Sequence, residues 1–222
     1  MSLCLVEGRR LSRSEFERRW DATPELKHAE LLDGVVYLRG DGRWVPASSR
    51  AELITWVGSY HAGTPCTTAG AHSSIRVDDA NELQPNVALY TEHGPNRAVC
   101  DADDVLSSAP GFAADVVMRD KADVIPIRRR VHARFGTREY LVWRVEDEVV
   151  EWYSLRSGDY VALTPDPADG LLKSETFPGL WLDPAALVRG DLAAVLAALA
   201  RGLASPEHAA FVAALAARRQ TP

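Results

Sequence analysis

Cysteine is scarce: Cys4, Cys66 and Cys100 are the only three in 222 residues, odd in number, far apart and without a CxxC unit. That argues against both a disulfide framework and a zinc site. Long apolar runs are also missing. The most apolar stretch, 191–219, is interrupted by Arg201, Gly202, Pro206, Glu207 and His208. It therefore reads as two Ala-rich amphipathic helices and not as a membrane span. The first twenty residues hold no long apolar segment, so no secretory signal is expected and a cytoplasmic location is. Neither GxxxxGK[ST] nor GxGxxG occurs, which takes support from nucleotide-dependent classes, and GxSxG and HExxH are absent too. Positive charge is not in excess: the net charge is −6. Any contact with nucleic acid must then rest on a local basic patch.

What is there suits one compact domain with a modest extension. Ser12 and Glu15 have capping-box spacing before a helix over 12–20, with Phe16 and Trp20 on one face. In AELLDGVVYL, Asp33-Gly34 separates two apolar runs, the strongest hairpin signal in the chain. Residues 48–62 carry Ala51, Ile54 and Val57 at helical spacing. Strands are expected at 73–77, 87–90 and 111–118, the last apolar enough to be central and buried on both faces. Pro126 and Gly136 suit the start and end of a helix, and a strand pair follows around 146–148. Another short strand falls within 158–183, and helices are expected over 184–202 and 206–219. This order predicts an α/β fold, a mixed central sheet flanked by helices.

Phosphodiester hydrolysis by magnesium needs carboxylate ligands grouped at strand ends and a cation to neutralise developing charge. Four positions could assemble such a site: Glu30 before the hairpin turn, Asn86 opening a strand, Asp115 inside AADVVM, and Arg128 on the basic helix. Asp115 is the most informative. A carboxylate among apolar neighbours is unfavourable to bury without a metal ion or a partner such as Arg119 or Lys121.

Five segments in order carry a resemblance: AELLDGVVYL, LQPNVALY, APGFAADVVM, RRRVHARFGTREYLVW and GLLKSETFPGLWLD. Together they resemble the Uma-type restriction endonuclease family, a branch of the PD-(D/E)xK nucleases, over roughly residues 11–188. The resemblance implies a restriction-endonuclease-like core at 11–188, a C-terminal helical extension at 189–222, and Mg2+- or Mn2+-dependent cleavage of DNA. It places Glu30 as the first acidic ligand, Asn86 where the family has Asp, Asp115 where it usually has Glu, and Arg128 near its lysine. Asn86 lacks the charge that a hard cation requires, and Arg128 is always protonated and cannot act as a base. A slow or inactive copy is therefore expected. The rival expectation is a non-catalytic DNA-binding or protein-interaction module on the same fold.

Asp78, Asp79 and Glu82 could substitute as ligands, and Lys121 as the cation, but a solvated acidic loop is the expected reading of the first three. Arg128, Arg129, Arg130, Arg134 and Arg138, with His132, form the one strongly basic segment, and the first four arginines could contact DNA phosphates. Arg130 and Arg134 share one helix face, and Arg128 shares another with His132. His28 and His72 read as hydrogen-bonding residues, and Trp143, Trp152 and Trp181 as packing residues. The apolar faces Leu192, Val195, Leu196, Leu199 and Phe211, Val212, Leu215 could hold a second subunit or dock on the domain itself.

Overall fold

The computed structural model describes residues 4–39 and 43–219. Helix α1 (Arg13–Asp21) starts at Ser12, whose side chain accepts the Glu15 N–H at 3.3 Å. The next elements are β1 (His28–Leu32) and β2 (Val35–Arg39), joined by Asp33 (φ 48°) and Gly34 (φ 75°). Two consecutive positive φ values make the turn that matches strand twist, and a two-residue turn fixes the register. Leu32 thus lies opposite Val35, Glu30 opposite Tyr37, and His28 opposite Arg39.

Helix α2 (Trp44–Gly63) begins four residues earlier than expected, with Pro46 accommodated in its first turn. Strands β3 (Thr67–Gly70), β4 (Ile75–Asp78), β5 (Asn81–Leu83), β6 (Val87–Thr91) and β7 (Phe112–Val117) follow. In the acidic stretch 78–82, Asp78 and Asp79 are exposed at a tight β4–β5 turn, as a solvated loop would have them. Glu82 corrects that expectation: it lies on β5 with 3% exposure. A 3-10 turn at Arg119–Val124 leads into α3 (Ile125–Phe135), which has Pro126 in its first turn and Gly136 as its left-handed cap. Strands β8 (Glu139–Arg144), β9 (Val149–Arg156), β10 (Asp159–Ala162), β11 (Leu172–Lys173) and β12 (Trp181–Leu182) complete the β structure. The helix expected over 184–202 is two: α4 (Pro184–Val188) and α5 (Leu192–Leu203), the second capped afresh by Asp191. Helix α6 (Pro206–Arg219) is last.

Among the described residues there are two main sheets and a small β11–β12 pair. The larger runs β10-β9-β8-β7-β6-β3, with β7 and β8 parallel and every other pair antiparallel. The smaller runs β2-β1-β5-β4 and is antiparallel throughout. Alternation along β7 decides which side chains meet. Phe112, Ala114 and Val116 join the main core with Trp56, Trp152 and Phe177 beneath α2, α4 and α5. Ala113 and Val117 turn to the other face with Tyr140, Val142 and Ile125, and Asp115 must follow them. On β1, Ala29 and Leu31 pack on Phe16, whereas Leu32 packs on Val124 and Val131 beside α3. Glu30 shares the face of Leu32. Helix α3 therefore lies where the polar positions of both sheets converge.

The apolar faces of the last two helices are occupied. Val195 and Leu199 belong to the main core, Leu192, Leu196 and Phe211 pack against it, and Leu215 is buried. Gly202 fits against Gly179 so closely that an added Cβ would lie 2.2 Å from the Gly179 carbonyl oxygen. Residues of the 189–222 stretch thus complete the same core as those of 11–188. No helix among the described residues is long and apolar enough to cross a membrane.

Candidate active site

Glu30, Asn86, Asp115 and Arg128, spread over about a hundred positions, meet at one buried point. Glu30 and Asp115 are both fully buried, Asn86 is 2% exposed and Arg128 4% exposed. The residue that joins them is Arg39, at the end of β2. Its Nη1 donates to Glu30 Oε1 at 3.0 Å, its Nη2 donates to Asp115 Oδ1 at 2.6 Å, and it also donates to the Gln84 carbonyl. Arg128 comes down from α3 and donates Nε to the other Glu30 oxygen at 2.6 Å.

The remaining valences are filled by the chain itself. Glu30 Oε1 accepts the Gln84 N–H at 2.9 Å, and Asp115 Oδ1 accepts the Asn86 N–H at 3.1 Å. The Tyr140 hydroxyl donates to Asp115 Oδ2 at 2.8 Å. Asn86 turns its side-chain oxygen to the Val116 N–H at 2.7 Å, which ties the start of β6 to β7. Every carboxylate oxygen thus has a donor, and two carboxylates face two guanidinium groups.

The electrostatics follow from that pairing. Burial alone would raise the Asp115 carboxyl, but the Arg39 and Arg128 charges beside it hold it well below the usual carboxylate range. Burial opposes the Arg39 charge, and Asp115 and Glu30 more than compensate, so its pKa is raised. Burial, with Asp115 next to it, keeps the Tyr140 hydroxyl protonated far above its ordinary value. His132, one turn beyond Arg128, is fully buried, stacks on Tyr140 at 4.3 Å and has its Nδ1 3.0 Å from Thr137 Oγ1. Burial pushes it down to about 4, so it is neutral at physiological pH.

A divalent ion needs free anionic oxygens and a net negative site. These residues do not provide them, because both acids are neutralised and the Asn86 oxygen is taken by backbone. Nor does a group of three or more His, Cys, Asp or Glu suited to a metal ion occur among the described residues. The residues present do not fit magnesium.

The other expected contributors make no hydrogen bond to Glu30 or Asp115. Asp78 receives the Ala80 N–H and faces Arg134, and Lys121 pairs with Glu7 at 3.2 Å on the surface. The His28 and His72 rings lie tilted at 4.4 Å, and His28 Nδ1 lies 3.2 Å from Gln84 Oε1, so His28 is a hydrogen-bonding residue as expected. Of the basic stripe, Arg128 points inward while Arg130 and Arg134 are exposed and face Asp33, and Arg129 lies over the Tyr153 ring. A cavity of about 490 Å³ opens over the site, with Arg39, Arg50, Met118, Lys121 and Arg128 in its wall.

Sequence reasoning missed Arg39 and Tyr140. The signal for Arg39 was available. The two-residue turn puts Tyr37 opposite Glu30, so Arg39 is Glu30's diagonal neighbour on the same face, within reach of a long side chain. Tyr140 could be placed only once β7 and β8 were known to be parallel partners.

The family model described as "Putative restriction endonuclease", Uma2, matches residues 13–185. The chain belongs to that family. Among solved structures, it is similar to a "putative nuclease belonging to DUF820" from Anabaena variabilis ATCC 29413. The TM-score is 0.54 at 12% identity, over 76% of this chain and 97% of the other, which is a likeness of fold. No curated protein matches the chain.

Proposed function

We propose that this protein keeps the nuclease fold but has slow or no magnesium-dependent DNA hydrolysis, and that it binds DNA without efficiently cutting it. One observation carries the reading: Glu30, Asp115 and Asn86 are each saturated by donors of the chain itself, with Arg39 and Arg128 cancelling the charge. A magnesium or manganese ion would have to displace a guanidinium from between two buried carboxylates. It would then find one charged ligand fewer than the family pattern offers. Affinity for hard cations falls steeply with each lost anionic ligand.

DNA is the ligand that family membership favours. Its phosphates would be met by Arg130 and Arg134, which are 59% and 50% exposed at their side chains. These would exchange the carboxylates of Asp33 and Asp78 for phosphate oxygens. Arg128, being buried, would hold Glu30 and leave the phosphates to its neighbours.

Incubation of supercoiled plasmid with the protein and millimolar magnesium or manganese tests the proposal. The plasmid should remain largely supercoiled. Robust cleavage that disappears in Asp115→Ala would overturn it.

A further inference from the structure

We infer that Arg39 is a built-in counter-cation, an arginine standing in the place where Glu30 and Asp115 would otherwise require a bound divalent ion. The inference rests on the reading of these two carboxylates as the family's acid pair. The geometry supports it directly. One guanidinium spans both acids, with Nη1 3.0 Å from Glu30 and Nη2 2.6 Å from Asp115, so a single cation bridges the two carboxylates. Its side chain is 10% exposed and theirs are not exposed at all, so water does little to screen the charges. The planar fork of arginine suits bridging two carboxylates, a task for which lysine's single ammonium is a poor substitute. Arg128 hydrogen-bonds only the other oxygen of Glu30 and acts on Asp115 through its charge alone.

Removing Arg39 would then leave two buried acids with a cation-sized hole between them. That hole should accept a cation from solution, and it should accept either of two unlike kinds. A small guanidinium would restore the missing hydrogen bonds, and a divalent metal would restore the missing charge. The divalent site is thus latent in the chain and is closed by one side chain.

The test is a set of thermal melts of the full chain in chelator-treated buffer at fixed ionic strength, with ethylguanidinium or Mn2+ added at millimolar concentration. Arg39→Ala should melt about 10 °C below the parent. Either additive should recover a substantial part of that loss, potassium at equal ionic strength should not, and the recovery should vanish in Arg39→Ala with Asp115→Asn. The parent should respond to neither additive. A folded Arg39→Ala protein indifferent to both additives overturns the inference. Should Arg39→Ala not fold alone, refolding with and without ethylguanidinium gives the same readout: recovery supports the inference and no recovery overturns it. Stabilisation of the parent by Mn2+ through Asp115 also overturns it. Because melts need no hydrolysis, these outcomes are separate from the plasmid result.

Discussion

Neutralising Glu30 as Glu30→Gln separates the two readings of the site by the sign of its effect. In a metal site awaiting its ion, two buried carboxylates repel, and replacing one by an amide relieves that repulsion and raises stability. Here Glu30 is the partner of both Arg39 and Arg128 and also accepts the Gln84 N–H at 2.9 Å. The amide oxygen keeps part of this, but the charge is gone, and two nearly buried guanidinium groups are left with Asp115 as their nearest counter-charge. Removing one partner of a buried ion pair costs about 3–5 kcal/mol. The retained hydrogen bonding and the second acid put this case at the lower end, about 3 kcal/mol. With a urea m-value of about 2–3 kcal/mol/M for a chain of this size, the unfolding midpoint should fall by about 1 M. The assay is equilibrium urea unfolding in EDTA, followed by circular dichroism, with the m-value checked for constancy. A midpoint that rises or stays in place refutes the ion-pair account.

Other consequences are independent of Glu30. Burial pushes Glu82 up to about 7, and one of its oxygens has no hydrogen-bond partner. An acid whose folded pKa is raised favours the folded state at low pH, so its contribution is lost as pH climbs from about 4.5 through 7. Glu82→Gln should therefore be more stable than the parent at pH 8, by up to about 3 kcal/mol, and equal to it near pH 4.5; melts across that range decide it. Gly202→Ala should lower stability by about 3 kcal/mol or more, since its Cβ would meet the Gly179 backbone and neither helix α5 nor that turn has slack. A thermal melt unchanged from the parent would show that the α5 packing is misjudged. If DNA is held by the exposed arginines, Arg130→Gln and Arg134→Gln should each reduce the slope of log affinity against log salt by about 1, measured by fluorescence anisotropy with a labelled duplex. An unchanged slope would move the DNA contact elsewhere.

The elements that could be read from sequence are those with a local physical cause. Asp33-Gly34 specifies its turn, Ser12 its cap, Pro126 and Gly136 the ends of α3, and the largely apolar run 111–118, broken only by Asp115, a strand buried on both faces. The four site positions were legible through the pattern of segments around them. What sequence hid depends on contacts far along the chain. The Arg39–Asp115 pair spans 76 positions, and Glu82 became a buried residue because β5 pairs with β1 as well as β4. The break between α4 and α5 is local, yet Leu187 and Val195 on either side continue one apolar pattern, so periodicity alone merges them.

The measurement that bears most directly on the central claim is a calorimetric titration of Mn2+ into the metal-free parent protein, run beside Asp115→Asn. With Arg39 and Arg128 neutralising the acid pair, the two titrations should coincide, without a one-site transition at low millimolar metal. A stoichiometric binding event present in the parent and lost in Asp115→Asn would contradict the account.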